Sequence, residues 1–178
     1  MKPSTSIEEC DHQVALFDTL FETHRRAIYA FHLGRTADAE CAADLLQETF
    51  VRAWRHIEIL SRRSCDEQRF WLFRTARNLS IDHRRRAPQP AQLLDEEAML
   101  AVDNSDPAHA IEAQELAARV QTAIALLPVE FRVVITLQVM GGLNSTQIGQ
   151  LLSRPPGTVR YQINQARRLL EQRLQLEL

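Results

Sequence analysis

Two stretches of this 178-residue chain concentrate side chains capable of chemistry, and that chemistry is recognition rather than bond breaking. In DLLQETFVRAWR, residues 44–55, Asp44, Gln47, Glu48, Arg52 and Arg55 recur at spacings of three and four, which sets them on one side of a helix. Such a face can meet a complementary charged helix, and a plainly solvated face is the alternative reading. In FWLFRTARNLSIDHRRR, residues 70–86, Phe70 and Trp71 run into Arg74, Arg77, Asn78, Asp82, Arg84, Arg85 and Arg86. Guanidiniums can hold phosphates while an aromatic ring stacks on an unstacked base, a contact worth about 1–3 kcal/mol per base. Burial of Trp71 in a core is the competing reading. A phosphate-cradling glycine loop, a cleft pattern of paired carboxylates and a nucleophile with its base are all missing from the sequence, so an enzyme is not expected.

A third set lies near the C-terminus. Pro128 opens a helix with Phe131, Val134, Ile135 and Leu137 inward, and Gly141-Gly142 closes it. Asn144 caps a short helix holding Ile148, Leu151 and Leu152; Ser153-Arg154-Pro155 then turns into a last helix from Pro156 to about Leu174. With Val159, Ile163, Ala166, Leu169 and Leu170 inward, this is a helix-turn-helix pattern. It leaves Thr158, Arg160, Tyr161, Gln162 and Asn164 outward, where they can enter a major groove.

The elements that must position these residues are helices. Ala, Leu, Gln, Glu and Arg dominate and Gly numbers 5, so propensity favours an all-α fold. Apolar residues repeat at helical spacing in three blocks: Leu16, Phe17, Leu20, Phe21, Ile28 and Phe31; Ala42, Leu45, Leu46, Phe50, Ala53, Trp54 and Ile57; Phe70, Phe73, Ala76 and Leu79. Three helices with short loops make a bundle whose aromatics, Trp54 among them, read as core. Ala87-Pro88-Gln89-Pro90 stops the third helix. The acidic stretch that follows ends where Asp106 caps and Pro107 opens a helix to about Leu126, striped by Leu116, Ala117, Val120, Ile124 and Leu127. The expected organisation is therefore two helical domains, 1–87 and 107–178, joined by a flexible acidic linker, 88–106.

Charge follows that division. Basic and acidic residues number 14 and 13 over 1–87, 1 and 7 over 88–119, and 6 and 3 over 120–178, so the net −2 hides two flanks free to present positive faces. All 21 basic residues except Lys2 are arginine, the side chain suited to bidentate phosphate and guanine contacts, although coding-sequence base composition gives the same bias. Cys10, Cys41 and Cys65 form an odd, widely spaced set that fits reduced thiols. Cys10, His12 and His24 could be imagined as metal ligands, but no CxxC or HxxxH pair supports them. No apolar stretch reaches the roughly 18–20 residues of a membrane span and the N-terminus lacks a signal-peptide core, so a cytoplasmic protein without a cofactor is expected.

The blocks DLLQETFVRAWR, WLFRTARNLSIDHRRR and LPVEFRVVITLQVMGGLNSTQIGQLLSRPPGTVRYQINQARRLL resemble conserved regions two and four of bacterial extracytoplasmic-function sigma factors, group IV of the sigma-70 family. The resemblance spans residues 14 to 174 in order and spacing. It implies an initiation factor with a region 2 bundle over 1–87 and a region 4 helix-turn-helix over 107–178. Its partners would be core RNA polymerase, through the β′ clamp helices and β flap, and promoter DNA. An anti-sigma factor, membrane-anchored or soluble, would control it, and no stable homo-oligomer is expected. By the same resemblance Asp44, Gln47, Glu48, Arg52 and Arg55 dock on the clamp helices. The loop Ile59–Gln68, with Phe70, Trp71, Arg74, Arg77, Asn78, Asp82, Arg84 and Arg85, handles the −10 element, where a base leaves the stack. Thr158, Arg160, Tyr161, Gln162, Asn164 and Arg167 meet the −35 element.

This chain departs from the family pattern at several places. Asn144 and Thr146-Gln147 stand where Ser and Glu-Glu are frequent, and Ser153 replaces a common turn glycine. Tyr161, Gln162 and Gln165 stand where Ser and Arg are frequent, which lowers the expected phosphate affinity; Gln162 suits an adenine edge. Two other readings share parts of the pattern. A sigma-like adaptor that occupies an anti-sigma factor would be expected to have lost the arginines at 77, 84, 85, 160 and 167, and a conventional helix-turn-helix regulator leaves the first module unexplained.

Overall fold

The computed structural model describes residues 4–86, 119, 120 and 122–176 of the chain. The described residues form helices and turns without strands, as an all-α fold requires. The N-terminal helices are α1 (Ser4–Thr36), α2 (Ala39–Arg55), α3 (Ile57–Ser61) and α4 (Cys65–Arg86). After a helical stretch over 122–125 come α5 (Val129–Val139), α6 (Ser145–Leu152) and α7 (Pro156–Leu176). The expected linker 88–106 and the helix start at Asp106-Pro107 lie outside the described residues.

α1 is 33 residues long, about 50 Å at 1.5 Å per residue, and forms the spine of the molecule. Its end is abrupt: Ala37 takes a left-handed φ of 57°, and Asp38 then caps α2 by accepting the Cys41 amide at 2.9 Å. Four N-terminal helices stand where apolar spacing gives three. Ile57 and Leu60 are buried, and their burial folds most of the expected 59–68 loop into α3 and the first turn of α4. Only Arg62–Ser64 remains as a turn. It is tied by Gln68 Nε2, which donates to the Leu60 and Arg63 carbonyls at 2.9 and 3.1 Å, and by a reciprocal cap between Ser64 and Glu67. The Ser64 amide and hydroxyl, which donate to Glu67 Oε2 at 2.9 and 2.8 Å, hold the Glu67 carboxyl below its ordinary pKa.

The core runs through both halves of the chain. Leu20, Ile28, Phe31, Phe50, Leu60, Leu72 and Phe73 of the first half are continuous with Val133, Val134, Leu137, Leu143, Ile148 and Val159 of the second. A smaller cluster, Ile124, Leu127, Ile135 and Ala166, sits beneath α5 and α7, with Val120, Phe131, Leu169 and Leu170 against it. α5 lies against α1, and α6 lies against α4. Close approach is possible because Gly141 is bare: a Cβ there would stand 2.8 Å from Phe73 Cζ. Gly142, at φ +62°, turns the chain beside Arg69. Arg132, expected neither as core nor as site, is buried and donates to the Ala125 carbonyl at 2.8 Å, and its burial lowers its pKa.

Candidate functional site

The first candidate face lies on α2. Asp44, Gln47 and Arg55 are exposed, while Glu48 and Arg52 are half-buried and paired to each other at 2.8 Å. Gln47 and Arg55 also rim an apolar groove of about 430 Å³ lined by Phe17 and Phe21 of α1 and by Leu46, Phe50 and Trp54 of α2. Trp54 is 43% exposed and meets Phe17 edge-on at 5.3 Å, so its assignment to the core needs correcting. Helical spacing gives Trp54 the same stripe as Phe50; it cannot tell that α1 covers one and leaves the other at the groove lip.

The second face lies on α4, which begins five residues before the expected aromatic start. Phe70 and Trp71 are half-buried, and Trp71 stands 5.5 Å from the His56 ring. Arg74, Asn78, Arg84 and Arg85 are exposed, Asp82 is half-buried, and Arg77 reaches Ser153 Oγ at 3.5 Å. The last turn of α4 carries His83, Arg84, Arg85 and Arg86, cations placed where the carbonyl end of the helix dipole favours them.

The third face is the helix-turn-helix. Asn144 Oδ1 accepts the Thr146 and Gln147 amides at 3.0 and 2.9 Å, and Gln147 Oε1 accepts the Asn144 amide at 3.0 Å. The Gln147 amide closes this reciprocal capping box. Ser153 adopts φ 56°, ψ 46°, the left-handed region that a turn glycine occupies without a Cβ penalty. On α7, Thr158, Arg160, Tyr161 and Asn164 are exposed, with Tyr161 at 61%. Gln162 is half-buried and accepts from Arg154 Nη1 at 3.0 Å, and Arg167 Nη2 donates to Gln138 Oε1 at 3.1 Å.

Beneath the first two faces sits a polar network that apolar spacing does not reveal. His32 is wholly buried, with Nδ1 2.9 Å from Ser80 Oγ and Nε2 3.0 Å from Thr49 Oγ1. Thr49 already donates to the Leu45 carbonyl at 2.7 Å, so its oxygen must accept from His32 Nε2–H, leaving Nδ1 to accept the Ser80 hydroxyl proton. The ring is therefore held neutral. Burial, with Arg35 nearby, pushes its pKa down to about 3. One turn further along α4, His83 Nε2 lies 3.1 Å from Cys41 Sγ, and burial with Asp38 and Asp44 raises the thiol pKa. Cys10 and Cys65 are exposed free thiols. Among the described residues no group of three His, Cys, Asp or Glu side chains could hold a metal ion.

Each half of the chain matches a known family. The Sigma-70 region 2 family matches residues 20–88 and the Sigma-70, region 4 family matches residues 117–170. The ECF RNA polymerase sigma factor SigL of Mycobacterium tuberculosis is 32% identical over 163 residues, covering 92% of this chain and 91% of that protein. SigW of Bacillus subtilis is 31% identical over 171 residues, covering 89% and 88%. In fold, the chain resembles the sigma factor RpoE solved in complex with the anti-sigma factor NepR from Bartonella quintana, with a TM-score of 0.62, 19% identity, and coverage of 91% of this chain and 98% of that one. With its helices, its helix-turn-helix and its sequence all aligned to theirs over nearly the full length, this chain belongs to the extracytoplasmic-function RNA polymerase sigma factors.

Proposed function

We propose that the three faces divide the work of promoter-specific initiation. The α2 face of Asp44, Gln47, Glu48, Arg52 and Arg55 docks on the clamp helices of core RNA polymerase. The α4 face, from Phe70 to Arg85, engages the −10 element during melting, and the exposed side of α7 reads the −35 element. Residues 1–87 and 107–178 act as the two binding domains and 88–106 as the linker between them. The protein supplies recognition and leaves catalysis to the polymerase, works in the cytoplasm, and is held in check by an anti-sigma factor.

The observation that carries this reading is the exposure of Thr158, Arg160, Tyr161 and Asn164 on the helix that follows a capped short helix and a left-handed turn. That geometry suits entry of the second helix into a major groove. The test is transcription in vitro with sigma-free core polymerase on fragmented genomic DNA, with start sites mapped. Starts sharing two upstream elements are expected. Core binding without shared elements would sink the promoter assignments, and absence of core binding would sink the docking face.

A further inference from the structure

Arg35, at the end of α1, lies one turn beyond His32, whose ring meets Ser80 between Arg77 and Arg84 on α4, and it feels the charges of those two arginines and of Arg154 in the turn between α6 and α7. Its Nε is closed off from solvent without a hydrogen-bond partner, and its guanidinium lies 5.6 Å from the Phe31 ring centroid. Arg77 touches Ser153, the neighbour of Arg154 in sequence, and Arg154 itself uses one N–H on Gln162. Each guanidinium has five N–H donors, and among the described residues most of that capacity has no acceptor. Among the described residues the ion pairs are Glu22–Arg25, Glu48–Arg52, Glu58–Arg62 and Asp66–Arg69, and none of them gives these four arginines a carboxylate. Burial first, and then the charges of Arg77, Arg84 and Arg154, press the Arg35 pKa below its ordinary value, as like charges gathered in a poorly solvated place must do.

Like charges brought together from both halves of the chain repel one another unless an anion lies between them. We propose that Arg35, Arg77, Arg84 and Arg154 form a binding site for a small oligophosphate, a linear run of phosphates either free or carried by a nucleoside, which exists only while the two halves are packed together. Several charges and many acceptor oxygens on a short chain match four planar donor forks better than a single monovalent ion does. Arg35 and Arg154 are half-buried, which suits a narrow phosphate chain better than a stiff duplex. Occupancy would clamp the closed arrangement. It would also withdraw Arg77 and Arg84 from DNA, a consequence that rests on their proposed −10 role, whereas binding itself does not.

The full-length chain, free of polymerase and DNA, is titrated with sodium tripolyphosphate by calorimetry, with sodium chloride at matched ionic strength as control. Saturable binding and a thermal midpoint raised by several degrees are expected, with affinity reduced at least tenfold in Arg35→Gln and in Arg154→Gln and largely kept in Arg154→Lys. Circular dichroism checks that each variant is folded, and Arg154, on a turn, serves if Arg35→Gln is not. Equal affinity for tripolyphosphate and ATP would support a site for the phosphate chain alone; tighter ATP binding would support the nucleoside-borne form. No binding beyond the salt control, wild-type affinity in both glutamine variants, or binding of single-stranded DNA with none of tripolyphosphate would each overturn the proposal. Because none of these readouts uses a promoter, failure here leaves the initiation assay untouched.

Discussion

At single residues, buried polar contacts join the apolar core in tying the helices together. His32 ties α1 to α2 and α4 as a neutral ring whose pKa lies at about 3 against an ordinary 6.5. The unfolded chain therefore binds a proton at this site more readily than the folded one. Stability is whole above pH 6.5 and falls as pH drops from 6.5 toward 3. Urea melts over that range should show the fall, and a His32→Leu variant, though less stable at neutral pH, should show a shallower dependence. Ser153 makes an opposite case: its left-handed φ of 56° costs a β-carbon residue about 1 kcal/mol, so Ser153→Gly should raise stability by about 0.5–1 kcal/mol in the same melts. The sequence made the Ser153 turn legible, because the family frequently has glycine there. It was silent on His32, since a histidine on an apolar stripe carries no sign of which hydroxyls will face it 17 and 48 residues away.

At the scale of elements, spacing gave the faces and missed what covers them. The polar side of α2 and the outward side of α7 follow directly from period 3.6, and the structure leaves Asp44, Gln47, Arg160 and Asn164 exposed. The groove beside α2 was illegible because it needs α1, whose Phe17 and Phe21 come from a stripe that reads as ordinary core. Likewise α3 is too short for periodicity to detect, although the Ser64-x-x-Glu67 pattern does announce the start of α4. Two outcomes belong here. Replacing Asp44 and Glu48 together by Lys should abolish binding to core polymerase, measured by co-migration or fluorescence anisotropy, with helicity unchanged; normal affinity would move the docking face elsewhere. Arg160→Ala should weaken discrimination for the −35 element by about 1–3 kcal/mol while core affinity holds, and parallel loss of both would contradict the division of labour.

Across the whole molecule, the sequence implied two helical domains, and their boundaries remain a proposal; the structure adds that the described helices of both halves are packed on one core. Nothing in the period or composition of either half announces the other as its cover, because an apolar stripe looks the same whichever helix buries it. Gly141 marks a close point of this contact, with Phe73 Cζ 2.8 Å from where a Cβ would stand. Gly141→Ala should therefore lower stability by about 1–3 kcal/mol by overpacking, seen as a lower denaturation midpoint, while variants on the exposed side of α7 should leave the midpoint in place. The described helices also include none long and apolar enough to cross a membrane.

The shared core has a thermal consequence. Val133, Val134 and Leu137 lie in one apolar cluster with Phe31 and Phe73, so any partner that draws the halves apart must wet that surface. Hydrating apolar area raises heat capacity by about 0.45 cal/K/mol per Å². Complex formation that parts the halves would thus show a heat-capacity change less negative than its buried contact area implies, and the deficit would measure how far the molecule had to open.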